Sequence, residues 1–305
     1  MQYLMNNDGR SAKTLMENIR KTDTRKYADI IELDHDLWVI NELGKTHIFL
    51  INGARRALLI DTGLGLSDLP EIVRRLCGRK PVIVVNTHSH GDHNSGNWMF
   101  DTVFVDRFDE PYAHRVMGAH ERELSRRSYF SDAIKAGFDF DSWRPQPAER
   151  IRTIRDGCSI DIGNYCLDVI EIPSHTAGSI ALYEKTKGWL FSGDVLLEWE
   201  TWGHLTSGVL APSVSLMEYL RSLQKLKELT GGTAYLYPSH GRGGEHAAGC
   251  TEYILPVSVM DIYIRGLFDV IENRAEISPY PCAWEDGYVS YFPIGGVVFQ
   301  KNRIH

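Results

Sequence analysis

Short runs of alternating apolar and polar residues give way twice along the chain to apolar spacing of helical period. After a polar, mixed-charge stretch over residues 1–26, four runs follow closely: DIIELD (29–34), LWVINEL (37–43), HIFLING (47–53) and RALLIDT (56–62). Their β-branched residues and short polar breaks predict an antiparallel meander. LSDLPEIVRRLCG (66–78) then has helical spacing and ends on a capping glycine, and PVIVVN (81–86) reads as a strand buried on both faces. The cycle repeats with YCLDVIEI (165–172), SIALYE (179–184), WLFSGD (189–194), a helix over 213–230 and the strand AYLYPS (234–239). A helical stretch at 247–273 should kink or break at Pro256, and YVSYF and VVFQK close the chain as strands. Two such cycles predict an α/β protein, two sheets packed together with helices outside. We expect a single domain over 27–305, an N-terminal appendage over 1–26 with a short helix at 11–20, and a helical insertion at about 107–156.

Composition narrows the class without naming a function. The 305 residues are 43% hydrophobic and 24% charged, as in ordinary globular proteins. A net charge of −7 argues against a polyanion-binding surface, and Arg126 and Arg127 are a thin basis for a basic groove, so nucleic acid is not the expected partner. No run reaches the roughly 18 apolar residues of a membrane span, and the N-terminus lacks the apolar core of a signal peptide. Five scattered cysteines without a C-x-x-C pair suit reduced thiols in the cytoplasm.

The chemistry concentrates in NTHSHGDHNSGN (86–97), which places His88, His90, Asp92 and His93 within six positions at the end of a predicted strand. Positions two apart point away from each other on a helix, so the spacing suits a tight loop, with Gly91 easing the turn. Imidazoles beside a carboxylate suit zinc, and also iron or manganese. Three further polar residues stand just past apolar runs and beside a glycine: His175 in IPSHTAGSIALY, Asp194 in WLFSGDVL and His240 in YLYPSHGRGG. Singly each could be a turn residue or a helix cap; together they give five histidines and two aspartates, enough for two metals.

THSHGDH, SHTAGSIALY, LFSGDVL and YPSHG, preceded by LLIDTGLG, resemble in type and order the motifs of the metallo-β-lactamase superfamily, in the binuclear hydrolase branch that includes glyoxalase II and lactonases. The likeness spans about residues 28–242. It implies an αβ/βα sandwich of two mixed β-sheets with helices on the outer faces. It implies further that His88, His90 and His175 hold one metal, that Asp92, His93 and His240 hold the other, and that Asp194 bridges them, with Asp61 supporting the ligand loop. Two divalent ions, zinc foremost with iron or manganese as alternatives, would then share a hydroxide that cleaves a small ester, thioester or lactone, and Asp92 would accept or deliver a proton. Competing readings are a phosphodiesterase or β-lactamase-type hydrolase, an iron-dependent oxidoreductase similar to persulfide dioxygenases, and a non-catalytic metal-binding module. Asp194 favours the glyoxalase II and lactonase side, whereas Leu196, Leu197 and Glu198, where lactonases often carry a tyrosine, weaken the lactonase reading.

Substrate residues are less legible. Trp199, Trp202 and His204 follow Asp194 closely and could line an aromatic pocket. Tyr112, His114, His120, Tyr129, Phe130 and Trp143 fall in the 107–156 stretch, which we read as a lid or substrate wall, a homodimer contact, or ordinary helix faces; His114 and His120 match no ligand position.

Overall fold

The computed structural model describes residues 20–24, 26–115, 118–128, 130–135, 137–206, 210–231, 233, 235–241, 246 and 250–305. The first sheet carries eight strands side by side in chain order: Arg20–Thr24 (β1), Ala28–Asp34 (β2), Leu37–Glu42 (β3), Thr46–Asn52 (β4), Ala57–Ile60 (β5), Val82–Val85 (β6), Thr102–Asp106 (β7) and Arg150–Ile154 (β8). The first five run antiparallel, and β5 to β8 are parallel. The second sheet contains Ser159–Asp161 (β9), Cys166–Glu171 (β10), Ile180–Glu184 (β11), Trp189–Gly193 (β12), Tyr235–Pro238 (β14) and Leu255–Pro256 (β15), in the order β15-β14-β12-β11-β10-β9. Only the β12–β14 pairing is parallel there. Glu200–Gly203 (β13), Ser278–Tyr280 (β16), Gly287–Tyr291 (β17) and Gly296–Phe299 (β18) form a third, four-stranded sheet that the sequence reading did not anticipate.

Two-residue alternation explains the layering, because successive side chains leave a strand on opposite faces. In β4, Phe49 and Ile51 enter the core between the sheets while Ile48 and Leu50 enter a second core under the helix Leu69–Cys77. In β11, Ile180 and Leu182 face the first sheet while Ala181 and Tyr183 face the helices Leu216–Leu229 and Ser258–Ile271. Leu69–Cys77 starts where the Asp68 side chain accepts from the Glu71 N–H at 3.1 Å, and it buries Leu69, Ile72, Val73 and Cys77. Ser215 caps Leu216–Leu229 in the same way. The result is helix, sheet, sheet, helix, as the resemblance implied.

Two local expectations need correction. Among the described residues the 107–156 stretch is helical in Glu110–Ala113, Ala119–Ser128 and Ser131–Lys135, and it ends in the edge strand β8, whose exposed Arg150 and Arg152 masked its alternation. Ahead of Pro256 the expected helix is absent from the described residues 250–254; Pro256 closes β15, and the helix begins only at Ser258. The expected helix at 11–20 and most of the appendage lie outside the described residues, as does Tyr129, and of the His120 side chain nothing is described.

Candidate metal centre

Every donor singled out in the sequence leaves the carboxyl end of a strand, on one edge of the sandwich. Asp61 directly follows β5, His88 and His90 follow β6, His175 follows β10, Asp194 directly follows β12 and His240 follows β14. Gly91 does not make a turn; it opens the short helix Gly91–Asn94, which carries Asp92 and His93. The glycine requirement lies instead at Gly193, where φ is +56° and a Cβ would stand 3.0 Å from Thr87, so the chain can turn Asp194 inward.

The structure brings all seven proposed ligands together. Three overlapping groups, His88–His90–His175, His88–His93–Asp194 and Asp92–His93–His240, each place their donor atoms within 4.8 Å of one another. His90 Nδ1 lies 2.8 Å from His175 Nε2, and Asp194 Oδ2 lies 3.6 Å from His175 Nε2 and 3.1 Å from His240 Nε2. Asp194 Oδ1 is 3.4 Å from His93 Nε2, so this carboxylate sits between the two histidine groups. All seven side chains are buried, and His88 Nε2, His93 Nε2 and Asp194 Oδ1 have no hydrogen-bond partner. Buried polar atoms are seldom left unpaired, and here they face one another, which fits cation-binding positions.

The opposite edge of each imidazole is held. Asp61 accepts from the Thr87 N–H (2.7 Å) and Thr87 Oγ1 (2.9 Å) and lies 3.0 Å from His93 Nδ1, with Ser239 Oγ at 3.3 Å. The carbonyls of Trp202 and Ala211 lie 2.7 and 3.0 Å from His175 Nδ1 and His90 Nε2, and that of Lys45 contacts His240 Nδ1. Thr46 Oγ1 donates to the Asp92 carbonyl (3.0 Å), and the His47 N–H donates to the Ser239 carbonyl (2.8 Å). The β3–β4 turn thereby grips ligand loops from both sheets.

Electrostatics divide the site. Burial depresses His88 well below the ordinary imidazole range and lowers His175 to about 3, so both are neutral donors. Burial also works against a charged His93, but the carboxylates of Asp194, Asp92 and Asp61 outweigh it and hold this imidazole well above its usual value. His240 is raised to about 10 by Asp194 and Asp92 against the same burial. Asp92 stays well below the usual carboxylate range because His93 and His240 overcome the penalty of burial.

Two supporting carboxylates escaped the sequence reading. Asp109 accepts from the Ser89 N–H (2.7 Å), the Gly178 N–H (3.0 Å) and Thr176 Oγ1 (3.0 Å), tying the first ligand loop to the loop of His175. Glu42 accepts from the N–H groups of Leu64, Leu66 and Ser67 at 2.8–3.2 Å, fixing the loop beyond Asp61. A charged residue ending a strand that opens with the apolar run Leu37–Ile40 was the available signal for Glu42; nothing local distinguished Asp109.

A cavity of about 410 Å³ opens onto the donors. Tyr112, Trp199 and Trp202 line it. His204 does not: it is fully buried, packed edge-on against Trp202 with ring centroids 5.6 Å apart. Trp199 and Trp202 were expected on a loop, yet Trp202 lies in β13. Phe130 lines the cavity, whereas Trp143 joins Leu64, Phe130 and Phe140 in a small satellite core, and the exposed His114 pairs with Glu110 at 2.7 Å. Tyr280 and Trp284, from the third sheet and its β16–β17 loop, complete the wall.

The family model of the metallo-beta-lactamase superfamily matches residues 42–240. The human acyl-coenzyme A thioesterase MBLAC2 is 29% identical over 214 residues, covering 64% of this chain and 73% of that protein. A hydroxyacylglutathione hydrolase of Gloeobacter violaceus is 28% identical over 196 residues, 64% of this chain and 63% of its own. Among solved structures, a beta-lactamase domain protein from Burkholderia ambifaria shares the fold with a TM-score of 0.55 at 20% identity, covering 87% of this chain and 85% of that one. The chain belongs to the metallo-beta-lactamase superfamily, as a metal-dependent hydrolase.

Proposed function

We propose that the protein is a binuclear metal-dependent thioesterase acting on acyl-thiol substrates. The observation that carries this reading is the convergence of five imidazoles and two carboxylates at the floor of a cavity, with orphaned donor atoms facing one another. The thioester class follows from the relatives, whose names denote hydrolysis of acylated coenzyme A and acylated glutathione.

His88, His90 and His175 would hold one cation, Asp92, His93 and His240 the other, with Asp194 between them. Zinc fits this donor set, and iron and manganese accept the same donors. When bound, two divalent cations bring a water to hydroxide near neutral pH and polarise the scissile carbonyl. The protein supplies orientation. Asp61 presents His93 through Nδ1 so that Nε2 enters the site, and the Trp202 and Lys45 carbonyls do the same for His175 and His240. For His90 the roles reverse: Nε2 meets the Ala211 carbonyl and Nδ1 enters the site. Asp92, which lines the cavity together with Asp194, would take the proton of the attacking water. Overall, hydroxide adds to the acyl carbon, the C–S bond breaks, and acid and thiol leave.

Among the described residues no helix is long and apolar enough to cross a membrane. The five cysteines are unpaired, which suits a reducing compartment such as the cytoplasm. Metal analysis of the purified protein followed by an ester, thioester, lactone, phosphodiester and β-lactam panel tests the proposal. Two equivalents of divalent metal and turnover of thioesters above the other classes is the expected result. A single iron with oxygen consumption, or no hydrolysis by metal-replete protein, would refute it.

A further inference from the structure

The cavity is asymmetric. Part of its lining is apolar and aromatic: Leu197, Trp199, Trp202, Leu210, Tyr280 and Trp284, with Trp202 beside His175 and the Trp199 ring 6.4 Å from that of His240. Large aromatic side chains bury most of their surface when nothing else needs them, yet all four of these are only partly buried, open to the cavity. Their positions are fixed by the fold. Trp202 lies in β13, paired opposite Val298 of β18, and its carbonyl lies 2.7 Å from His175 Nδ1, so this wall is joined by one hydrogen bond to the candidate centre. Tyr280 spends its hydroxyl on Glu200 Oε1 at 3.1 Å, leaving its ring as the apolar contact. The loop bearing Trp284 is closed by the Cys282 N–H donating to Asp286 Oδ1 at 2.9 Å. Tyr280 and Trp284 also lie beyond residue 240, where the superfamily match ends, so membership in the superfamily does not account for them.

We propose that the third sheet is a specificity element, and that Trp202, Tyr280 and Trp284 form a wall that receives an apolar acyl group, making this a hydrolase selective for medium to long hydrocarbon acyl thioesters. The inference rests on the thioesterase reading above. An apolar chain laid on this wall leaves water, and each added methylene should raise kcat/KM about fourfold, until the wall is covered. Glu200 also lines the cavity, and its Oε1 accepts the Tyr280 hydroxyl.

The test uses the metal-replete full chain with acetyl-, hexanoyl- and dodecanoyl-coenzyme A, and the non-hydrolysable S-ethyl and S-dodecyl thioethers of coenzyme A for direct binding by calorimetry. The expected result is a dodecanoyl-to-acetyl preference of at least about a hundredfold in kcat/KM, as several buried methylenes imply. The S-dodecyl thioether should bind correspondingly tighter than the S-ethyl one. Trp284→Ala should cut that preference by about tenfold or more, and Trp284→Phe should restore most of it. If Trp284→Ala does not fold, Tyr280→Leu and the wild-type chain-length profile carry the test. A flat profile, or equal losses on both substrates, overturns the acyl wall while leaving a thioesterase. Preference for an acyl chain ending in trimethylammonium over its hydrocarbon isostere overturns it in favour of cation recognition. Chain-length-dependent thioether binding without any thioester hydrolysis retains the wall and overturns the thioesterase reading.

Discussion

Asp61→Asn isolates how a residue outside the ligand set controls it. Asp61 has φ of +64°, a conformation that asparagine also tolerates, so this substitution changes chemistry without adding the backbone strain that alanine would. Both carboxylate oxygens are acceptors: Oδ1 receives the Thr87 N–H, and Oδ2 receives Thr87 Oγ1 and faces His93 Nδ1 at 3.0 Å. An amide has one acceptor. Kept opposite the Thr87 N–H, its oxygen leaves an NH2 facing His93 Nδ1. The hydroxyls of Thr87 and Ser239 can rotate and accept; the imidazole can only change tautomer. That change moves its proton to Nε2, the atom aimed into the site, where it competes with a cation. Losing one hydrogen bond to a charged group costs about 1.5–3 kcal/mol. This corresponds to a roughly ten- to hundredfold loss of affinity, the range seen when outer partners of metal ligands are removed. Metal titration into apo protein, read by calorimetry and by metal content after dialysis, should show the Asp92–His93–His240 position weakened and the His88–His90–His175 position nearly intact. Equal retention of both ions at wild-type affinity would refute the reasoning, as would loss of the first position alone.

Asp194→Ala should reduce metal content toward one ion or abolish turnover, because this carboxylate lies between both histidine groups; two retained ions with normal activity would remove its assignment as a bridge. Glu42→Ala should destabilise the fold by about 3 kcal/mol or more in a denaturant titration, since it leaves the N–H groups of Leu64, Leu66 and Ser67 without their acceptor; a change under about 1 kcal/mol would contradict this. Arg122 donates to the carbonyls of Phe140 and Trp143 and lies over both rings, at 4.7 and 5.5 Å from their centroids. Arg122→Ala should therefore speed limited proteolysis between residues 119 and 143 while leaving metal content unchanged, with a local cost of about 1–2 kcal/mol. Unchanged proteolysis would show that the satellite core does not need this cation.

The strands that were legible are those whose alternation feeds two cores at once. β4 and β11 carry the unbroken apolar runs Ile48–Ile51 and Ile180–Tyr183 because both faces are covered there. β8 was misread because it is an edge strand with Arg150 and Arg152 turned to solvent, so its apolar signal is halved. At the candidate site, residues that follow an apolar strand announce themselves, since a histidine or aspartate there interrupts an evident pattern. Asp109 has no such context: its partners Ser89, Thr176 and Gly178 are distant in sequence and meet it only because the loops of two sheets converge. Tyr280 and Trp284 were invisible for a similar reason, as their approach depends on the parallel pairing of β13 with β18 across nearly a hundred positions.

Each of the three donor groups takes two residues from the loop after β6 and one from a loop of the second sheet. Neither half of the chain owns a complete coordination sphere. Ion affinity is therefore a gauge of how the two sheets are registered: a slip between them, from a substitution in the shared core around Phe49 and Phe191, would register as weakened cation retention before it reached any residue at the site.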